Sequence, residues 1–464
     1  MSSKQRILMN TALLTASALL IRMAGMLFQA KLASTIGAEG IGLYQLSGSV
    51  TVFFSVFAVS GVRFAATKLV SEELSSMRGM IYTALRVCAI YALVFGLLSG
   101  GALWCLAKPM GFLWVGDARV VLSLRIASAA MPFIALSAVF SGCFTALGEV
   151  WKMVLAQLIT ASINLLVTFF LLSRADCLDL KITCAAITIG SVVSEVFGCA
   201  FLLLFYLAEH RKQSSVWIDA PWPTKRMLSA ALPLAVSSYV RTGLNTLEHM
   251  FIPKGLKLSG LTAEAALSGY GIIHGMALPT VLFPACLLFS LAELIVPELT
   301  KAKAQGRIVR VLHIIRLCRS WTLIYAVISA AALSFFAELI AEALFHTPEC
   351  AHAIRSLAPL VPIMNLDTIT DGCLRGLGQQ SRVMMINILD AALGVLIVMV
   401  LIPHSGLKGY LLMIWITETI NCILSSFVLN RTIRKNLLIL SSSFFKIVLP
   451  TTHNKPSIWR PENE

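Results

Sequence analysis

"PFIALSAVFSGCFTALG", residues 132–148, returns 230 positions later as "PIMNLDTITDGCLRGLG", residues 362–378. The two stretches share P-x3-L-x5-G-C-x3-L-G in register, and a basic residue, Lys152 or Arg382, follows four positions past each final glycine. Two weaker matches run in the same order: Arg22 and Gln29 against Arg241 and Glu248, then Tyr44 and Glu72 against Tyr270 and Glu298. One short match arises by chance, but three in one order argue that the second half of the chain is a copy of the first.

The chemistry of the copied unit follows from composition. Of 464 residues, 58% are hydrophobic and 13% charged, and the mean hydropathy is +0.83. That much apolar surface fits a chain dissolved in a bilayer, whose core of about 30 Å takes roughly 20 apolar residues per helix. The apolar runs are long and continuous rather than short and alternating, which excludes a β-barrel. Hydropathy and Gly, Pro and charge punctuation predict twelve spans, near 8–33, 42–70, 80–106, 120–147, 152–173, 182–208, 227–253, 264–297, 310–341, 352–377, 383–403 and 407–430. The first run follows Lys4 and Arg6 as a signal peptide would, but Arg22 interrupts it and it has an internal counterpart, so it reads as a permanent span. The 11 cysteines lie scattered in apolar segments with no metal-ligand spacing.

The repeat then sets the architecture. The predicted fold is an all-α polytopic membrane protein of about twelve helices in two pseudosymmetric six-helix lobes. Six is even, so both lobes keep one orientation about an axis along the membrane normal. The expected division is an N-terminal lobe over 1–210, a cytoplasmic linker over 211–226, a C-terminal lobe over 227–435, and a cytoplasmic tail over 436–464, interfacial and then disordered. With the N-terminus inside, Lys4, Arg6, Lys68, Arg78, Lys152, Arg307, Arg310, Arg382 and Arg431 gather at cytoplasmic ends, among others. Outward-facing ends hold only Lys31, Lys108, Arg119, Arg174, Lys181, Lys254, Lys257 and Lys408. This bias puts both termini in the cytoplasm. It also accounts for the net charge of +14 as topology and contact with anionic lipid rather than nucleic-acid binding.

Four stretches carry a family resemblance: "GAEGIGLYQL" at 37–46, "TKLVSEE" at 67–73, "SSYVRTGLNTLEHMFIPKGL" at 237–256 and "YGIIHGMALPTVLFP" at 270–284. They resemble the stage V sporulation protein B-like group of the multidrug/oligosaccharidyl-lipid/polysaccharide exporter superfamily, which also includes the MATE exporters and lipid II flippases. The resemblance implies a V-shaped pair of lobes, alternating access and a bacterial cytoplasmic membrane. It implies as cargo a polyprenyl-linked saccharide or, in the MATE branch, an amphipathic cation. Such families have twelve or fourteen spans, and this chain stops at twelve.

Candidate functional residues are the charges inside spans, where each costs about 2.5 kcal/mol or more and so faces a bundle interior or a watery cavity. Ser237, Arg241, Asn245 and Glu248 fall at helical spacing on one face of span seven. Arg22 occupies the matching place in span one, and two converging guanidiniums suit a pyrophosphate. A structural polar network between helices is the competing reading. Arg63 in span two either joins that basic cavity or snorkels to the cytoplasmic face. Lys68 and Glu72, at i and i+4, read as a gate or orientation pair. In span eight, His274 and Glu293 stand among Pro279, Pro284 and Pro297. His274 is a candidate for proton coupling, against the plainer reading of a hydrogen-bonded core histidine. In span ten, Asp367, Asp371 and Arg375 line up at i+4 steps, as an Asp371–Arg375 ion pair or as a proton or cation site. Gly96–Gly100 and Gly372–Gly376 read as helix-packing pairs.

Enzyme readings fail on motif and length. There is no P-loop or HExxH, and the loops are too short for a soluble catalytic domain. The sequence therefore points to a transporter without ATP hydrolysis, metal or cofactor, expected to act as a monomer and driven by an ion gradient (H+ or Na+), the membrane potential or downhill cargo. A flippase needs a basic cavity, for which Arg22, Arg63 and Arg241 speak. A cation-coupled exporter needs an acidic one, for which Glu248, Glu293, Asp367 and Asp371 speak.

Overall fold

The computed structural model describes residues 3–76, 81–174, 179–210 and 224–448. Every regular element among them is helical. Seven helices are long and apolar enough to cross a membrane, or eight with the bent pair Val120–Ser128 and Met131–Ala146 taken as one span. Two of the seven each fuse two spans across a glycine. Ser3–Val59 breaks at Gly37, with φ 69°, and Gln380–Val448 at Gly406, with φ 56°. Only glycine takes this left-handed conformation without strain, so each serves as a tight turn between two spans with no loop. Span seven, Thr224–Leu258, and span ten, Pro348–Leu357 with Val361–Gly376, are too polar to pass on apolarity alone; they complete twelve.

The duplication is visible in the backbone. Spans four and ten are both broken just before their shared proline, so that Pro132 and Pro362 each sit in the first turn of a new helix, where a missing N–H costs nothing. Both helices then end alike. Gly148 and Gly378 are left-handed, at φ 72° and 76°. One residue on, Glu149 N donates to Phe144 O and Gln379 N to Leu374 O, each at 2.9 Å. A threonine of a neighbouring helix caps each glycine stretch: Thr67 Oγ1 donates to Gly142 O and Thr300 Oγ1 to Gly376 O, each at 3.0 Å.

Span eight is the least regular. It runs as Ala263–Tyr270, a π turn Gly271–Ala277, Leu278–Leu282 and Ala285–Ala304. Its prolines and the π turn supply the breaks expected of a cavity wall. Span nine is shorter than expected: it ends at Phe335, and Ala337–Phe345 forms a separate helix. The linker assigned to 211–226 lies outside the described residues up to 223, and span seven is already helical from Thr224. At the other end, the backbone helix continues past 435 to Val448, and 449–464 lie outside the described residues. The ten described cysteines are free thiols.

Candidate functional site

A cavity of about 800 Å³ lies between the lobes, walled by span two, span seven and His274 of span eight. Span two contributes Tyr44, Gln45, Ser49 and Ser55; span seven contributes Ser238, Arg241, Thr242, Asn245, Thr246 and His249. Among the described residues no carboxylate lines it, and Arg241 is the permanently charged side chain they contribute. The lobes touch across it where Thr246 Oγ1 donates to Ser49 O at 3.2 Å. They touch again where the Tyr239 hydroxyl donates to Ser60 Oγ at 2.5 Å. Ser60 is buried in the left-handed region at φ 44°, a conformation strained for a residue with a Cβ. Its hydroxyl also bonds Tyr91 at 2.8 Å.

Of the expected basic and polar set, the structure brings Arg241 and Asn245 to the cavity. Glu248 turns to span eleven instead. Its Oε2 would lie 2.5 Å from a Cβ placed on Gly394, so it fills the space that glycine leaves. Arg22 sits over the Phe289 ring of span eight, 4.8 Å from its centroid. Arg63 points its Nη2 at the Met153 sulfur, 3.3 Å away within the N-terminal lobe. Lys68 and Glu72 are exposed in the helix Val62–Ser76, away from the lining.

His274 does line the cavity. Its ring stacks on Tyr270 at 5.2 Å and meets His249 at 4.3 Å. Tyr270 in turn faces Tyr410 at 6.3 Å, and neither the Tyr270 hydroxyl nor His249 Nδ1 has a hydrogen-bond partner among the described residues.

The acidic residues gather elsewhere. Arg375 reaches Glu293 of span eight, Nη1 to Oε1 at 3.1 Å, and also acts electrostatically on Asp371 one turn back. Asp371 hydrogen-bonds Asn387, and Asp367 lies close enough to act on it electrostatically. Asp367 accepts from Asn421 Nδ2 at 3.0 Å. Two carboxylates that sequence reasoning passed over join this group: Asp390 of span eleven, which interacts with Asp367 and Arg241, and Glu418 of span twelve, which interacts with Asp390, Asp367 and Glu248. The cost of an intramembrane charge was the signal that marked them. Among the described residues no three His, Cys, Asp or Glu side chains converge to hold a metal ion. Arg241 thus stands at a boundary, with a carboxylate-free cavity on one side and Asp371 and Asp390 within electrostatic reach on the other.

Two six-helix lobes around a shared cavity define a membrane transporter of the MATE fold. The sequence profile described as polysaccharide biosynthesis protein matches residues 7–303, and the chain belongs to that family. It is similar to stage V sporulation protein B of Bacillus subtilis (strain 168), 22% identical over 427 residues, covering 88% of this chain and 80% of the relative. Sporulation protein YkvU of the same organism is 23% identical over 352 residues, covering 75% and 77%. Among solved structures, an inward-facing multidrug resistance MATE family transporter of the MOP superfamily superposes with a TM-score of 0.70 at 13% identity, over 90% of this chain and 98% of that one. An outward-facing counterpart gives 0.64 at 13%, over 92% and 96%. Family and fold are those of multi-pass membrane transporters, not of enzymes.

Proposed function

We propose that this chain flips a polyprenyl-linked saccharide, an oligosaccharide or cell-wall precursor, across the bacterial cytoplasmic membrane by alternating access. One observation carries the reading: beside Val52, Val56 and Val59, the cavity presents hydroxyls, amides and imidazoles around Arg241, with no carboxylate among the described residues. A guanidinium fork suits a phosphate or pyrophosphate, and the neutral donors and acceptors suit sugar hydroxyls. The family's description as polysaccharide biosynthesis proteins agrees with that cargo. In this reading the lobes 1–210 and 227–435 rock about the cavity as a monomer, with the linker 211–226, the tail 436–464 and both termini in the cytoplasm. An H+ or Na+ gradient drives the cycle.

The test is lipid mass spectrometry on the native host with and without the protein. Accumulation of a polyprenyl-pyrophosphate saccharide in its absence is the expected result. A second reading, a cation-coupled exporter of amphipathic cations, is favoured by the group Glu248, Asp367, Asp371, Asp390 and Glu418. Unchanged lipid intermediates together with altered tolerance to cationic dyes would establish it in place of the first.

A further inference from the structure

Two side-chain stripes meet on the outside of the C-terminal lobe, away from the cavity. On span nine, Ile308–Phe335, Arg316, Arg319, Leu323 and Val327 fall at i, i+3, i+7 and i+11, one face of the helix. On span twelve, which runs the opposite way, Ile423, Phe427, Asn430 and Arg434 fall on one face of that helix. Arg319 is half-buried and the other seven are exposed. The stripes are joined where Arg319 Nη2 donates to Ser426 Oγ at 3.4 Å. Each stripe is polar or basic at one end and apolar beyond it, and the polar ends coincide. None of these residues lines the cavity.

The arginines lack counter-charges. Arg310, in the first turn of span nine, pairs with Glu298 at 3.5 Å. Among the described residues Arg316, Arg319 and Arg434 make no ion pair, and Arg319 spends one donor of its five on the Ser426 hydroxyl. Their depth is set by the helix itself. Residues 320–337 carry no charge, a run of roughly 27 Å at 1.5 Å per residue, close to the bilayer core of about 30 Å. Arg319 thus stands at the edge of the hydrocarbon, with Arg316 and Arg434 in the headgroup layer. Leu323, Val327, Phe427 and Ile423 lie deeper, at the level of acyl chains, and are 46%, 52%, 61% and 61% exposed.

We propose that this groove between spans nine and twelve holds one anionic phospholipid. Arg316 and Arg319 take its phosphate, Arg434 stands opposite, and its acyl chains lie on Leu323, Val327, Phe427 and Ile423. A planar guanidinium fork matches two phosphate oxygens, and basic pockets between spans at the cytoplasmic face recognise anionic headgroups. The leaflet follows from the orientation proposed above; the groove and its chemistry do not depend on it. The lipid would bridge two helices joined here by the Arg319–Ser426 bond, on a surface separate from the cargo space.

The experiment uses purified full-length protein in phosphatidylcholine nanodiscs, with Phe427→Trp as a fluorescent reporter read against the parent. Dibrominated phosphatidylglycerol or dibrominated phosphatidylcholine is titrated in as quencher. A basic side chain at an anionic surface contributes roughly fivefold in affinity. Phosphatidylglycerol should therefore quench the reporter with at least fivefold higher apparent affinity than phosphatidylcholine. Adding Arg316→Gln and Arg319→Gln together should bring that ratio close to one. Arg307→Gln, which removes an exposed charge just before span nine and off this face, should leave it unchanged. A ratio near one with the arginines intact, or one that survives their removal, overturns the site. An equal fall in Arg307→Gln would mean diffuse surface charge and also overturns it. Inorganic phosphate at matched ionic strength should not displace the lipid; displacement would assign the groove to a soluble phosphate instead. Should the double variant fail to accumulate, Arg316→Gln alone decides, because that side chain is exposed: at least a twofold fall is expected, and no fall overturns the proposal. Quenching needs no cargo, so this result stands apart from the flippase reading.

Discussion

Asn421 of span twelve donates from Nδ2 to Oδ2 of Asp367 in span ten at 3.0 Å, and both residues are buried. Asp367 Oδ1 has no partner among the described residues, so the amide is a principal support of a carboxylate held inside the C-terminal lobe. Leaving a buried polar group unmade costs about 1–3 kcal/mol, more for a charge. Asn421→Leu should therefore lower the thermal unfolding midpoint of the purified protein in detergent by several degrees. Asp367→Asn, which keeps a hydrogen-bonding partner of the same shape, should lower it less. Equal midpoints for both variants and the parent would mean that the pair does not support the lobe.

Adjacent glycines in span three give opposite expectations. A Cβ on Gly100 would lie 2.7 Å from Ser128 O, and one on Gly101 meets nothing within 4 Å. Gly100→Ala must push spans three and four apart and should reduce accumulation in the membrane and thermal stability. Gly101→Ala adds only helix propensity, about 0.5–1 kcal/mol in its favour. Melting curves of the two variants side by side check the contrast; Gly100→Ala at or above the parent would refute it.

The Ser60 hydroxyl joins the lobes through Tyr239 while its own lobe holds it through Tyr91. Tyr239→Phe removes a cross-lobe hydrogen bond worth about 0.5–1.5 kcal/mol, while Tyr91→Phe removes one within a lobe. Only the first should shift the balance between transport states, by up to about tenfold. Spin-label distances between the lobes in nanodiscs would measure it. Identical distance distributions in the two variants would mean that the contact does not bias the cycle.

What the sequence made legible was whatever repeats or is local. The copied stretch around Pro132 and Pro362 announced two lobes because both copies need the same break, the same close-packed glycine and the same left-handed stop. The spacing Gly96–Gly100 announced close packing because a helix shows one face every four residues, and Gly96 indeed meets the backbone at Pro132. Arg241 and Asn245 were legible as a polar face. Glu248, on the same wheel, was misplaced because its direction is set by the hollow at Gly394, 146 positions further on. Arg375 was legible only in part: it acts on Asp371 one turn back, as the spacing allows, but its ion pair is with Glu293 on another helix. Asp390 and Glu418 each stand alone in an apolar run, so nothing local groups them with Asp367. The lobe does that only when it closes.

Arg241 offers the sharpest test of the site because two sets of groups compete for it. On the cavity side it faces neutral donors and acceptors; on the other it acts on Asp371 and Asp390. A hydrogen bond to a charged group is worth about 1.5–3 kcal/mol, roughly 10- to 150-fold in affinity. Arg241→Ala should thus reduce transport by at least that factor while leaving membrane insertion intact. Arg241→Lys keeps the charge beside the carboxylates but loses the planar fork, so it should retain stability and recover only part of the activity. Adding Asp390→Asn to Arg241→Ala removes a carboxylate left without its cation. That double variant should regain thermal stability but no transport, separating the arginine's role toward cargo from its role toward the lobe. The measurements are accumulation of the lipid intermediate in the complemented host and the unfolding midpoint of each purified variant. Full transport by Arg241→Ala would remove the residue from the site, and restored transport in the double variant would mean that its task is to neutralise Asp390 rather than to hold cargo.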